Sequence, residues 1–309
     1  MSTATMQAIQ IQDYGGPEVL KLVEKPVPQP GEGQALIRVH AAGVNPTDWK
    51  TRAGYYKQFR PVPMPWIPGV DGAGVVEALG PGATQFRPGQ AVYGPFTGAY
   101  AQYAVAPASD LQIKPDRVSF EEAAAVPVGA LTAWGTVFDA ANVQPGQRVL
   151  VQGAAGGVGL YAVQLARWKG AQVFGTASSA NVEFVHSLGA EAIDYSARPF
   201  EQSVKDVDVV IDTVGSDITQ RSLQVLRRGG TLVTVAAMLA EDFGKAEGIR
   251  AIRGGRASHA RLKDITQLIE AGKVKPAVYK VFPLAEARQA QELSQTGHGR
   301  GRIVLHIAG

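Results

Sequence analysis

The sequence predicts an α/β protein in two parts, a small β-rich barrel followed by a doubly wound parallel sheet covered by helices. Three observations predict it. Residues 6 to about 115 are short alternating runs cut by Gly or Pro. From Pro145 onward, strand and helix patterns alternate. Between them, a continuous apolar strand runs into glycines and then into a helix, from Val149 to Gly159.

The elements follow in order. Ala35 to His40 alternates as a half-buried strand, and Pro26, Pro28 and Pro30 stop the run before it. A short helix is expected at Thr47–Ala53. Gly80-Pro81-Gly82 and Pro88-Gly89 mark tight turns. Ser119-Phe120-Glu121-Glu122 is a capping box opening an apolar helix that Pro127 interrupts and that resumes to about Ala141. Strands are expected at Arg148–Gln152, Gln172–Thr176, Val207–Asp212 and Thr231–Val235. Helices are expected near Val158–Lys169, Asn181–Ser187 and Ile218–Leu226. Two more helices, Ala260–Ala271 and Leu284–Leu293, precede a last strand, Gly301–Ile307, too short to form its own domain and so expected to return to the first.

Composition narrows the chemistry. The 309 residues contain no cysteine, which excludes thiolate metal sites, disulfides and a cysteine nucleophile. Thirty basic against 27 acidic residues give a net charge of +3 with no basic block, so nucleic acid is not an expected partner. No apolar run is long enough to span a membrane, and the opening residues lack a signal-peptide pattern, so a soluble cytoplasmic protein is expected. Glycine is in excess, 36 residues or roughly 12% against an average of about 7%, and it is aperiodic. Those glycines therefore mark turns and close backbone approaches.

Gly153-Ala154-Ala155-Gly156-Gly157-Val158-Gly159 is the most informative stretch. A glycine loop between a strand and a helix lets a pyrophosphate lie against bare N–H groups. Gly156 and Gly159 hold the second and third positions of the dinucleotide fingerprint, and Ala154 replaces the first. Ala155, Gly156, Gly157 and Val158 are the expected phosphate contacts. An NAD site wants an acid about 20 residues on. Thr176 to Asn181 contains none, and Ser178 and Ser179 could bond a 2′-phosphate, which favours NADP(H). The same serines could instead cap the following helix. Tyr195 is a further candidate for the phosphate edge. Thr132 is a candidate for phosphate or ribose. Thr213, Val214, Ala236 and Ala237, at the carboxyl ends of two strands, are candidates for the ribose and nicotinamide.

Together these segments resemble the medium-chain dehydrogenase/reductase superfamily, and within it the zinc-independent quinone oxidoreductase and enone reductase branch. Gly43-Val44-Asn45-Pro46-Thr47-Asp48 resembles the family's first loop, and Pro68-Gly69-Val70-Asp71-Gly72-Ala73-Gly74-Val75-Val76 its G-x-[ED]-x-x-G-x-V motif. Leu131-Thr132-Ala133-Trp134, the A-A-x-G-V-G loop at 154–159 and Gly297 to Leu305 resemble three more segments. The resemblance covers nearly the whole chain. It implies a GroES-like β-barrel domain (1–124, with 259–309 returning to it), a Rossmann NADP-binding domain (125–258), a cleft between them and a homodimer.

The zinc ligands of metal-dependent relatives would fall at Asn45 and Val70, neither suited to the ion. His40, His186, His259, His298 and His306 are scattered. Hydride transfer without a metal needs other donors aimed at the acceptor oxygen. By resemblance, the helix after Asn45 lines the cleft mouth. Asn45 is expected to reach substrate or ribose, and Lys50 and Tyr55 to bond or protonate the developing oxyanion. Lys50 could equally be a solvated helix lysine, and Tyr56 rim packing. Asp48 is expected to bond backbone N–H groups, and Asp71 to be a buried carboxylate paired with Arg52. Arg300 and Arg302 are expected at a solvated strand edge, with one within possible reach of a phosphate. Met64, Trp66 and Ile67, between Pro61, Pro63, Pro65 and Pro68, either shape an apolar acceptor pocket or pack on the barrel.

The expected activity is NADPH-dependent reduction of a small-molecule quinone or α,β-unsaturated carbonyl. The alternatives are an enoyl-thioester reductase of the same superfamily and a non-catalytic NADPH-binding protein.

Overall fold

The computed structural model describes residues 4–307. β1 (Thr5–Gln10) and β2 (Lys21–Pro26) form an antiparallel hairpin. β3 (Gln34–Val44), α1 (Pro46–Arg52), β4 (Asp71–Leu79), β5 (Ala91–Pro95), β6 (Tyr103–Pro107) and β7 (Gln112–Ile113) follow. α2 (Phe120–Ala124) and α3 (Pro127–Trp134) lead into the second part. There β8 (Arg148–Gln152), α4 (Gly159–Trp168), β9 (Gln172–Ala177), α5 (Val182–Ser187), β10 (Glu191–Asp194), β11 (Val207–Asp212), α6 (Asp217–Arg221), β12 (Leu226–Thr234) and β13 (Arg250–Arg253) alternate. α7 (Leu262–Glu270), β14 (Val278–Pro283), α8 (Ala287–Gln295) and β15 (Arg302–His306) close the chain.

Six strands pair in parallel in the order β10-β9-β8-β11-β12-β13. The order reverses between β8 and β11, which opens a crevice at the carboxyl ends of those two strands. Alternation along β8 and β11 explains why both faces are covered. Val149, Val151, Val209 and Ile211 pack with α3, α4 and α7, while Leu150 and Val210 face a separate core containing Phe200, Leu223 and Leu232. Each such side chain contributes about 1.5–3 kcal/mol by leaving water.

The other sheet runs β14-β15-β3-β4-β5-β7, with β6 paired to β3. The last strand does return to the first part: β15 lies antiparallel to β3, with Ile303 opposite Val44. That register sets residue 302 beside the start of α1. The capping box forms as read, with Ser119 Oγ accepting from Glu122 N–H and Glu122 Oε2 accepting from Ser119 N–H.

Several boundaries differ from the sequence expectation. The helix from 218 to 226 is one turn and a half of α-helix and then a tight 3-10 turn, and β12 begins at Leu226 because Leu226 already pairs with Val207. The helix resuming after Pro127 becomes a wide π turn at Gly135–Ala140, where a Cβ on Gly135 would lie 2.1 Å from the Gly255 carbonyl oxygen. β10 and β13 were not expected. Both are short sheet edges of mixed polarity, and an edge strand needs no continuous apolar run. Met64, Trp66 and Ile67 pack against the first sheet's core.

Candidate active site

The glycine loop sits in the crevice between β8 and β11. Gly153 takes the left-handed conformation, φ 69°, as the chain turns out of β8. Gly159 lets α4 approach the strand, since a Cβ there would lie 2.1 Å from the Gly153 carbonyl oxygen. The turn is braced from below: Gly153 N–H donates to Thr176 Oγ1, which donates to Gln152 Oε1, at 3.0 and 2.8 Å. The backbone N–H groups of Ala155, Gly157, Val158 and Gly159 find no acceptor among the described residues. Four free donors at the start of a ten-residue helix fit an anionic diphosphate. Gly156 keeps the cradle open, with only the Gly153 oxygen near a hypothetical Cβ, at 3.2 Å.

Strand ends beside the loop are rigidly held. Asp212 is buried and accepts from Val214 N–H, Gly215 N–H, Thr219 Oγ1 and Thr234 Oγ1, so it anchors the loop after β11. Thr213 Oγ1 donates to the Gln152 carbonyl, and Val214 is half exposed beside Gly153. Ala236 and Ala237 N–H groups share Thr234 Oγ1. Thr132 lies half-buried on α3, next to Leu131, whose carbonyl accepts from Ala257.

One premise of the cofactor reading is corrected. Ser178 and Ser179 do follow β9, and neither hydroxyl caps a backbone N–H there. A carboxylate is nevertheless present. Parallel pairing sets Asp194 of β10 level with Ala177 of β9. Ser179 Oγ donates to Asp194 Oδ2 at 2.6 Å, and these bonds hold the carboxyl below its usual range. The acid is 15 residues beyond the serine, on a strand the sequence pattern did not reveal. Tyr195, next to it, is half exposed.

The start of α1 carries a buried polar network. Asn45 N–H donates to Asp48 Oδ2 at 2.8 Å, as the sequence suggests for Asp48. Tyr100 OH donates to the same oxygen. Burial pushes the Asp48 carboxyl up to about 7, against the pull of the Asn45 hydrogen bond. Asn45 itself is fully buried. Its Nδ2 donates to Asp71 Oδ2 at 3.0 Å, and its Oδ1 accepts from Arg302 Nη2. The amide expected to reach substrate is thus spent inside the protein.

Asp71 also accepts from Val128 N–H, at the start of α3, and lies 3.4 Å from Arg302 Nη2. Its expected partner, Arg52, points elsewhere: it donates to Gln291, Gln295 and the Gly15 carbonyl, tying α1 to α8. Arg302 is only 4% exposed, so it is no solvated edge residue. The antiparallel register of β15 and β3 aims it inward. A Cβ on Gly157 would lie 2.9 Å from its Cδ and Nη1, so its guanidinium lies against the glycine loop. Gly301 N–H also donates to Ala155 O at 2.7 Å. Arg300 stacks instead on Phe184.

These donors do not suit zinc. An amide already bonded at both ends, beside a guanidinium that neutralises Asp71, offers a dication repulsion rather than ligands. Among the described residues no three His, Asp or Glu side chains gather to hold an ion.

Lys50 and Tyr55 flank one indole. Lys50 Nζ lies 5.4 Å from the Trp49 ring centre, and Tyr55 meets that ring edge-on at 5.9 Å. Lys50 is half-buried and Tyr55 is 67% exposed. Lys50 lies on the helix that Asn45 caps and Tyr55 in the turn that follows it, and both are accessible hydrogen-bond donors.

Comparison with known proteins gives the family. The family model for the alcohol dehydrogenase GroES-like domain matches residues 31–116, and that for the zinc-binding dehydrogenase matches 188–305. The chain is 34% identical to mouse quinone oxidoreductase over 325 residues, 97% of each chain. It is 35% identical over 318 residues to the NADPH-dependent alkenal/one oxidoreductase of Arabidopsis thaliana, covering 97% of this chain and 79% of that one. A mycobacterial protein solved in complex with NADPH superposes with a TM-score of 0.88 at 32% identity, over 97% of this chain and 99% of that one. The chain belongs to the medium-chain dehydrogenase/reductase superfamily, in its quinone oxidoreductase branch, and is an oxidoreductase with a GroES-like part and a Rossmann-like part. Among the described residues no helix is long and apolar enough to cross a membrane.

Proposed function

We propose that this chain reduces quinones or α,β-unsaturated carbonyls with NADPH, without a zinc ion. The observation that carries the reading is Arg302. Its guanidinium joins the glycine loop, through Gly157, to the start of α1, through Asn45. The phosphate cradle, the helix bearing Lys50 and the turn bearing Tyr55 therefore form one site. The names of the Arabidopsis and mycobacterial relatives support NADPH as the cofactor.

The dinucleotide, when bound, supplies the hydride. The N–H groups of Gly157, Val158 and Gly159, with the Arg302 charge beside them, would hold its diphosphate. Thr213, Val214, Ala236 and Ala237 border the ribose and nicotinamide, and Thr132 approaches from α3. Ser178, Ser179 and Tyr195 border the outer ribose. An enone taking that hydride at its β-carbon would carry the developing charge on its carbonyl oxygen. Lys50 or Tyr55 would donate a hydrogen bond to that oxygen and pass it a proton, and the resulting enol would tautomerise to the saturated carbonyl through water. Asn45 positions α1 rather than touching substrate.

The division into residues 1–124 with 259–309, and 125–258, belongs to the same reading, as do the homodimer and the cytoplasmic location. The test is turnover: purified protein with NADPH and a panel of quinones, enones and enoyl thioesters, followed by loss of reduced-cofactor absorbance. Oxidation with quinones or enones, unchanged by a chelator, is expected. Tight NADPH binding with no turnover on any acceptor would refute the enzyme reading, and loss of activity with the chelator would refute its metal-free form.

A further inference from the structure

Asp194 and Ser179 form a paired acid and hydroxyl at the carboxyl ends of β9 and β10, and nothing in the reaction described above uses the acid. In a doubly wound sheet the end of the second strand lies beside the adenosine ribose. β9 is that strand here, one place outward from the strand that carries the glycine loop. Asp194 Oδ2 takes the Ser179 hydroxyl hydrogen at 2.6 Å, and Oδ1 takes Ser196 N–H at 2.8 Å. Neither partner is cationic. The neighbouring Ser178, Ala180 and Asn181 bring no positive charge either.

Resting on the NADP(H) reading, we propose that Asp194 is the residue that limits this chain's preference for NADPH over NADH. Two physical effects act together. A ribose 2′-hydroxyl can donate to a carboxylate, whereas a 2′-phosphate has no hydrogen to give at neutral pH and is repelled by it. The Ser179 hydroxyl has a single hydrogen, already given to Asp194, so it presents lone pairs rather than a donor to the phosphate. The hydroxyls that favour NADPH in the sequence are thus partly disarmed by an acid that only strand pairing brings to them. The protein therefore binds both cofactors, with NADPH favoured less than an acid-free pocket would allow.

The experiment measures dissociation constants for NADPH and NADH by fluorescence titration, in low and high salt. It uses wild type, Asp194→Asn and Asp194→Ser, with thermal melts to verify folding. Asp194→Asn should tighten NADPH binding by about tenfold and leave NADH unchanged or weaker, as expected for removing one nearby like charge and freeing one donor. The gain should shrink at high salt, because the repulsion is screened. Asp194→Ser should shift the NADPH to NADH ratio in the same direction. Equal shifts for both cofactors, or none, would overturn the assignment while leaving the dinucleotide reading intact. Failure of wild type to bind either cofactor would overturn both.

Discussion

Asp48 is the residue where burial most alters ordinary chemistry. Its carboxyl is pushed up to about 7 in the folded protein against 3.8 in the free side chain. The folded state then holds this proton more tightly than the unfolded state. Its stabilising contribution is full below about pH 4 and is lost as pH rises through about 7, at most about 1.4 kcal/mol per pH unit. Asp48→Asn keeps an acceptor for the Asn45 N–H and removes the titration. The variant should gain stability relative to wild type between pH 5 and pH 8, checked by denaturant titration at each pH. Lys50 makes a kinetic prediction. Lys50→Met keeps the stem on Trp49 but loses the proton, so kcat/KM should fall by about tenfold or more while NADPH affinity stays within about twofold. Unchanged turnover would reduce Lys50 to a solvated helix residue. Asp48 was legible because an acid three residues after a helix cap has an adjacent N–H to accept. Asp71 was rightly read as buried, but its partner, and the placement of Asn45 and Arg302, were misjudged because the interacting residues are up to 257 apart in sequence.

At the scale of the element, the glycine loop separates packing from binding. Gly159→Ala places a Cβ 2.1 Å from a backbone oxygen that cannot yield, which should cost about 3 kcal/mol of stability. Gly156→Ala meets only one oxygen at 3.2 Å. That variant should fold nearly as stably as wild type yet bind NADPH at least about tenfold more weakly, because its methyl group enters the space proposed for the diphosphate. Denaturant titration and cofactor titration on both variants read the two effects apart. The loop, its strand and its helix were all legible, since continuous Val and Leu followed by glycines is a local pattern. β10 and β13 were not, because they exist through pairing with one neighbour rather than through their own residues.

Across the whole molecule, the two sheets meet at Arg302, which comes from the last strand and joins Asn45, Asp71 and Gly157. Asp71 is fully buried, and burial raises its carboxyl while Arg302 opposes the shift. Arg302→Gln leaves that carboxyl uncompensated and should cost about 3–5 kcal/mol. Adding Asp71→Asn should recover much of the loss, since the unpaired charge is then gone. Additive losses in the double variant would mean that the pair does not act as a unit. The cofactor affinity of Arg302→Gln should stay low even in that rescued background, because the charge beside the glycine loop is missing. The sequence by itself determined the two-part α/β plan, the return of the final strand and the glycine loop between β8 and α4. Each of these is written in neighbouring residues or in residue type. Only the tertiary structure decided that Arg302 is buried, that Asn45 is spent on Asp71, and that Asp194 stands beside Ser179. Those facts follow from strand register, which hydrogen bonds between distant segments fix and no local pattern states.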